Sequence, residues 1–184
     1  MNFKNFINNT LTFFVKRLIE LIGLIIIFFS IFLLISLISY SADDPNFIFD
    51  EKTKISNLMG FRGSYTSDLI LQSFGIISYL YPFTFLFMGI TLINNKKLII
   101  VIENLFFLIL YTIFGSLYFN IYSNLSFELS INGNGGFLGN FASELLNLNF
   151  INNNEKLFKF FLLILVILAF LISINFRLKF LFNI

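Results

Sequence analysis

The chain has 184 residues, 58% hydrophobic and only 12% charged, with no cysteine, histidine or tryptophan and a formal net charge of +2. So little charge, against about 25% in soluble chains, excludes a water-soluble domain, and so much hydrophobicity excludes a disordered one. The missing residue types exclude thiol nucleophiles, disulfides, Cys/His zinc sites, histidine-ligated haem and imidazole-based triads, and the charge is too small for a nucleic-acid-binding surface.

Phe3, Phe6, Ile7, Thr10 or Leu11, and Phe14 fall on one helical face with Lys4 elsewhere. Residues 1–17 are therefore predicted to form a short interfacial helix leading into the membrane. Leu21–Tyr40 then supplies 20 residues without a charge, and Leu69–Ile93 supplies 25. Leu98–Tyr118 is interrupted only by Glu103, and Phe160–Phe176 extends backwards past Lys159 through Leu157 and Phe158. A hydrocarbon core of about 30 Å needs about 20 apolar residues at about 1.5 Å each, and in lipid every amide must bond within its own segment. The prediction is an all-α membrane protein with spans at about 21–40, 69–93, 98–118 and 157–176. Residues 18–176 form its four-span domain and 177–184 a tail. The 29 phenylalanines, beside abundant Asn, Ile and Lys, are read as drift in an AT-rich genome rather than an aromatic site.

Lys4, Lys16 and Arg17 precede the first span, Lys96 and Lys97 sit in the short second loop, and Arg177 and Lys179 follow the last span. The long first loop sets Lys52, Lys54 and Arg62 against Asp43, Asp44, Asp50, Glu51 and Asp68, and the third has three glutamates and Lys156. The positive-inside rule places both termini in the cytoplasm and both long loops outside. Ser39-Tyr40-Ser41 has the small-x-small form of a leader cleavage site. The apolar run before it is about twice a usual h-region of roughly 7–15 residues, so the first span is read as an uncleaved anchor.

After that span, Asp43 and Asp44 resist entry into hydrocarbon by about 2.5–3.5 kcal/mol each, and Pro45 disfavours helix at Asp44. Together they are expected to end the helix. Asp68 is expected to cap the first turn of span two, where a carboxylate suits the helix dipole, and Pro82 to kink that overlong helix. The acids Asp43, Asp44, Asp50 and Glu51 lack the alternating oxygens and glycine of a calcium loop, so a solvated loop is expected and no metal site. In the last long loop Asn132-Gly133-Asn134 reads as a turn before an amphipathic helix. Gly135, Gly139 and Ser143 form a small stripe on it, Phe137, Phe141 and Leu145 an apolar one, and Asn140 lies on neither. Such a small stripe permits close backbone approach, so a helix packed on the spans or on a partner is expected, against a solvated periplasmic helix. Glu20, Glu103 and Lys159 lie near the span ends, where they can pair or snorkel. A small channel or transporter component is the alternative function, and it would place ionisable groups at the midplane or break paired helices there.

The ordered elements Tyr40, Ser41, Asp44 and Pro45; Asn57, Gly60 and Gly63; Asp68; Phe74 and Gly75; Leu80, Tyr81 and Pro82; and "GGFLGNFASELL" with Gly135, Gly136 and Gly139 together resemble the N-terminal membrane domain of the FtsK/SpoIIIE family of bacterial DNA translocases. The resemblance covers about Leu21 to Ile174. It implies an anchor in the bacterial inner membrane at the division septum, serving cell division and chromosome partition. It also implies contacts with division-site proteins and the lipid bilayer, and a homo-oligomer, hexameric in the family. In that family a RecA-like motor follows the membrane domain. No G-x-x-x-x-G-K-[ST] occurs in these residues. ATP and Mg²⁺ are accordingly expected to belong to a motor outside this chain. Catalytic, cofactor-binding and metal residues are expected to be none, with no direct DNA binding.

Topology reporters test the charge count. Fusions after Lys97 and after Ile184 should report cytoplasm, and one at Asp50 periplasm. A cytoplasmic Asp50 would overturn the four-span reading.

Overall fold

Apolar runs whose amides have no water to bond must close their own hydrogen bonds, and the chain does so as helix throughout. The computed structural model describes residues 3–45, 54–122, 129, 131–146 and 155–176. Among them the elements are α1 (Phe3–Ile38), α2 (Gly60–Phe74), a 3₁₀ turn (Ile76–Leu80), α3 (Tyr81–Asn95), α4 (Ile99–Tyr122), α5 (Gly136–Leu145) and α6 (Glu155–Ser173). Four stretches are long and apolar enough to cross a membrane: Asn8–Ile38, Ile76–Asn95, Ile99–Tyr122 and Lys156–Ser173. The all-α, four-span class expected from the sequence is the class observed.

Two elements differ from expectation. The interfacial segment and the first span are one helix of 36 residues, about 54 Å long by helical rise. Nothing interrupts it, because no glycine or proline occurs before Gly23 and the Arg17–Glu20 ion pair, three residues apart, straddles the expected join. Of the apolar face expected there, Thr10, Leu11 and Phe14 are described; the side chains of Phe3, Phe6 and Ile7 lie outside the described residues.

The run Leu69–Ile93, expected as a single span, is divided. Gly75 takes φ 77°, a conformation that ends α2 and that a side chain would strain. The 3₁₀ turn follows, and Pro82 is the second residue of α3. A proline there loses no intrahelical bond, so Pro82 starts a helix instead of kinking one. Asp68 is correspondingly the ninth residue of α2 and caps no span.

α1 lies along α3, α4 lies along α6, and α3 joins the two pairs. Three contacts set the antiparallel register of α1 and α3. Glu20 pairs with Lys96 at 2.5 Å, and Ser30 Oγ donates to Pro82 O at 2.6 Å. Between them Gly23 and Gly89 meet backbone to backbone; a Cβ built on Gly89 would stand 2.7 Å from Gly23 O. α3, α4 and α6 share a buried polar node in which Thr84 Oγ1 lies 3.0 Å from Tyr111 OH and 3.1 Å from Ser173 Oγ. Thr112 adds a bond to Tyr81 OH at 3.0 Å. Such interspan bonds average about 0.6 kcal/mol each and act as glue. Leu33, Leu37, Leu71 and Tyr111, all fully buried, centre the core in the half of the bundle nearer the long loops.

Alanine in a helix normally stabilises relative to glycine by about 1 kcal/mol. At Gly89 the sign should invert, since the added methyl meets a carbonyl that only a helix shift can move. Gly89→Ala should cost about 1–3 kcal/mol in denaturation from mixed micelles, and Ile90→Ala, on the exposed side, far less. Equal effects would mean that the α1–α3 contact is not set by its glycines.

Candidate functional site

The long-loop end of the bundle gathers the residues that the sequence singled out. α1 stops at Ile38, leaving carbonyls that lack amide partners. Asn57 supplies them from the next loop: its Nδ2 donates to Ser36 O at 2.8 Å and to Ser39 O at 3.2 Å. Tyr79 OH reaches Leu37 O at 3.2 Å, and Ser39 Oγ turns back to Ile35 O at 2.7 Å. The helix end is thus closed by side chains from elsewhere in the chain.

Asp44 fixes the loop that carries Asn57. It is 3% exposed, and its two carboxylate oxygens accept the amides of Ser56 at 2.6 Å and Asn57 at 2.8 Å. Asn57 Oδ1 accepts Met59 N–H at 3.0 Å, and its own carbonyl accepts Gly60 N–H at 2.9 Å, which turns the chain into α2. Gly60 sits at φ 66°. At Gly63 a Cβ would collide with Asn57 Oδ1 and with Met59 Cβ. Pro45 is fully buried, and its carbonyl accepts Ser64 Oγ. The spacing Asn57, Gly60, Gly63 is therefore one device: an amide that caps, a residue that turns left-handed, and a space for the amide to occupy.

Tyr40 continues the brace. Its hydroxyl donates to Asp68 Oδ1 at 3.1 Å, joining the end of α1 to the middle of α2. Burial, with the Asp68 carboxylate beside it, pushes the phenol up to about 12, so it keeps the proton it donates. Asp68 is 8% exposed, and its expected role as a cap for span two is replaced by this bond.

The glycine-rich segment closes the other side. Gly75 and Gly136, at φ 77° and 65°, touch through their backbones. A Cβ on Gly75 would strike Asn134 O, and one on Gly136 would stand 2.5 Å from Gly75 N. Ile76 N–H bonds to Asn134 O at 3.0 Å, Asn132 Nδ2 to Gln72 O at 3.1 Å, and Ser116 Oγ to Phe74 O at 2.6 Å. Gly135 and Gly139 both lie against Ser116 O, where a Cβ would stand 2.5 Å away. Asn120 Nδ2 donates to Ser143 Oγ at 2.9 Å. The small stripe Gly135, Gly139, Ser143 thus packs on α4, and the solvated-helix alternative does not describe it. Phe137, Phe141 and Leu145 face outward, 63%, 51% and 72% exposed.

Ser41 is half-buried and turns the loop through its carbonyl, which accepts Asp44 N–H at 3.3 Å. Phe74 packs on Tyr81 with ring centroids 5.7 Å apart. Asn140, which lies on neither stripe, donates to Asn132 O at 3.1 Å and belongs to the brace. Asp43 is exposed, so the two neighbouring aspartates have opposite environments. Asp50 and Glu51 lie outside the described residues. Among the described residues no three acids gather as metal ligands, and both oxygens of Asp44 are committed to amides. Sequence reasoning missed Ser116 and Asn120, whose only signal was polarity within or beside an apolar run, and it read Ser39 and Asn132 only as parts of a leader-like form and a turn.

Residues 15–183 match the family model for the 4TM region of the DNA translocase FtsK/SpoIIIE. A curated relative, the DNA translocase FtsK of Rickettsia typhi, is 31% identical over 144 residues, which are 78% of this chain and 19% of that protein. The chain thus spans about a fifth of the relative it matches. No solved structure matches it significantly.

Hydrogen bonds to a charged group are worth about 1.5–3 kcal/mol each. Asp44→Ala strands two amides and should cost about 3 kcal/mol or more in micellar unfolding, whereas Asp43→Ala should fall within about 0.5 kcal/mol of wild type. Indistinguishable effects would remove Asp44 from the brace.

Proposed function

The chain belongs to the four-span membrane region family of the FtsK/SpoIIIE DNA translocases, and from that premise we propose that it anchors and positions a DNA translocase in the bacterial inner membrane at the division septum. In this reading both termini are cytoplasmic, and the ATP- and Mg²⁺-dependent motor is a separate unit on that side. The brace of α2, α5 and the loop at Asp44 is then presented to the periplasm, where division-site proteins meet it. The chain self-associates, as a hexamer where it serves a hexameric motor. It contributes no catalytic residue and binds no DNA itself.

The observation that carries this reading is the brace. Most of the residues that give the family resemblance gather at the long-loop end, in hydrogen bonds and glycine contacts that shape its surface. Nothing about conducting a solute calls for that shaping. Most hydroxyls buried between the spans, among the described residues, are bonded from helix to helix, as at Thr84, Tyr111 and Ser173. That is the chemistry of a bundle held shut, and it favours an anchor over the channel or transporter alternative.

A fluorescent fusion of residues 1–184, expressed in a rod-shaped bacterium, should concentrate at midcell in dividing cells. Gly139→Leu, which forces α5 off α4, should leave membrane insertion intact and disperse the signal along the envelope. Uniform membrane fluorescence of the wild-type fusion would overturn the septal reading. Unchanged midcell signal in Gly139→Leu would place septal recognition outside the brace.

A further inference from the structure

The opposite end of the bundle, at Lys96, contains a hollow of about 580 Å³ between the last turns of α3 and the chain leaving α6. Phe87, Thr91, Asn94, Asn95, Asn175 and Phe176 line it. Its size falls within the roughly 300–1,000 Å³ of small-molecule sites. None of these residues takes part in the brace.

One hydrogen bond gives its depth. α6 ends at Ser173, and Asn175 Nδ2 donates to Asn104 Oδ1 at 2.9 Å. Asn104 stands five residues inside α4, about 7.5 Å along the helix from its first residue. The chain of α6 therefore leaves helical geometry before it reaches the level of that residue. Asn175 is left-handed at φ 54°, and Phe176 N–H returns to Leu171 O at 3.0 Å. Non-helical backbone at membrane depth persists only where protein buries it or a polar cavity solvates it. Asn104 is 1% exposed, and its Nδ2 has no hydrogen-bond partner among the described residues. A buried donor thus stands behind the asparagine that lines the hollow.

We propose that this hollow binds one glycerophospholipid of the leaflet at the Lys96 end. The amides of Asn94, Asn95 and Asn175 would donate to its phosphate and ester oxygens, and Phe87 and Phe176 would flank an acyl chain. The lining is graded as a lipid is graded. Asn94 and Asn95 close α3 beside Lys96 and the exposed Lys97, while Phe87 lies seven residues deeper, about 10 Å. Amide donors and positive charge meet the oxygen-rich head; aromatic faces, 41% and 40% exposed, meet the tail. A free phosphate ion would leave those rings without a partner. The exposed Lys97, two residues beyond Asn95 in the chain, gives an anionic head the advantage over a zwitterionic one.

The whole chain, purified in mild detergent with added phosphatidylglycerol, is examined by native mass spectrometry. Wild type should retain one phospholipid, preferring phosphatidylglycerol to phosphatidylethanolamine. The double substitution Asn94→Leu, Asn95→Leu lies at exposed positions and should lower retention about tenfold, the factor that two net hydrogen bonds supply. Phe160→Ala, on the outward face of α6 near its other end, should change nothing. Because the chain has no cysteine, Thr91→Cys provides one thiol inside the hollow. Phosphatidylglycerol should protect it from maleimide, and inorganic phosphate should not. No retained lipid, equal retention in the double variant, or equal protection by phosphate would each overturn the site.

Discussion

The last carbonyls of α1 govern the architecture of the long-loop end. A helix stopping at the edge of hydrocarbon cannot leave them to water on every side, and past Ile38 only the amides of Ser39 and Tyr40 turn back, to Ile35 O and Leu37 O, leaving Ser36 O to be met from elsewhere. Asn57 answers from across the first loop, bonding Ser36 O and Ser39 O with one amide. That bond works only if Asn57 is held still, which Asp44 does through two backbone amides. It also works only if α2 begins beside α1, which Gly60 and Gly63 permit. The position of α2 then brings Asp68 to Tyr40 and Phe74 to α4. Remove the first bond and each later one loses its geometry.

Close approach between backbones is the second constraint, and glycine satisfies it at both ends of the α1–α3–α4 assembly. Gly23 against Gly89 draws α1 onto α3; Gly75 against Gly136 draws the glycine-rich turn onto the end of α2; Gly139 draws α5 onto α4. In lipid the apolar effect gives helices no preference for one another over acyl chains, so packing distance and hydrogen bonds must supply it. Each glycine contact here has a hydrogen bond nearby: Ser30 to Pro82, Ile76 to Asn134, Asn120 to Ser143. Small residues bring the backbones near enough for backbone amides and short polar side chains to reach.

Fold class was legible in the sequence because bilayer thickness imposes a length on apolar runs, and four such runs are present. The division of Leu69–Ile93 was not, because hydropathy carries no information about φ. Gly75 and Pro82 were both visible, but an isolated glycine and a proline are equally compatible with a kinked helix. Only the backbone contact with Gly136, 61 residues away, decides for a break. The stripe of Gly135, Gly139 and Ser143 was legible as a packing surface, though its partner was not. The brace was legible as a set of residues but not as a mechanism. Asn57 binds carbonyls 21 and 18 residues earlier in the chain, and a carbonyl is the one group every residue shares. Asp43 and Asp44 illustrate the limit: identical side chains in adjacent positions, one exposed and one 3% exposed, separated only by which of them finds amides.

The two ends of the bundle are consequently unlike. At the long-loop end α1, α2, α4 and α5 are tied by bonds whose acceptors are mostly backbone carbonyls, and such bonds fix helix positions as well as side chains. At the other end α1 is tied to α3 by the Glu20–Lys96 pair and α4 to α6 by two asparagines, side chain to side chain in both cases. The long-loop end therefore holds helix positions through backbone bonds, while beyond the Gly23–Gly89 contact the Lys96 end rests on side chains, so that helix spacing there can adjust at smaller cost.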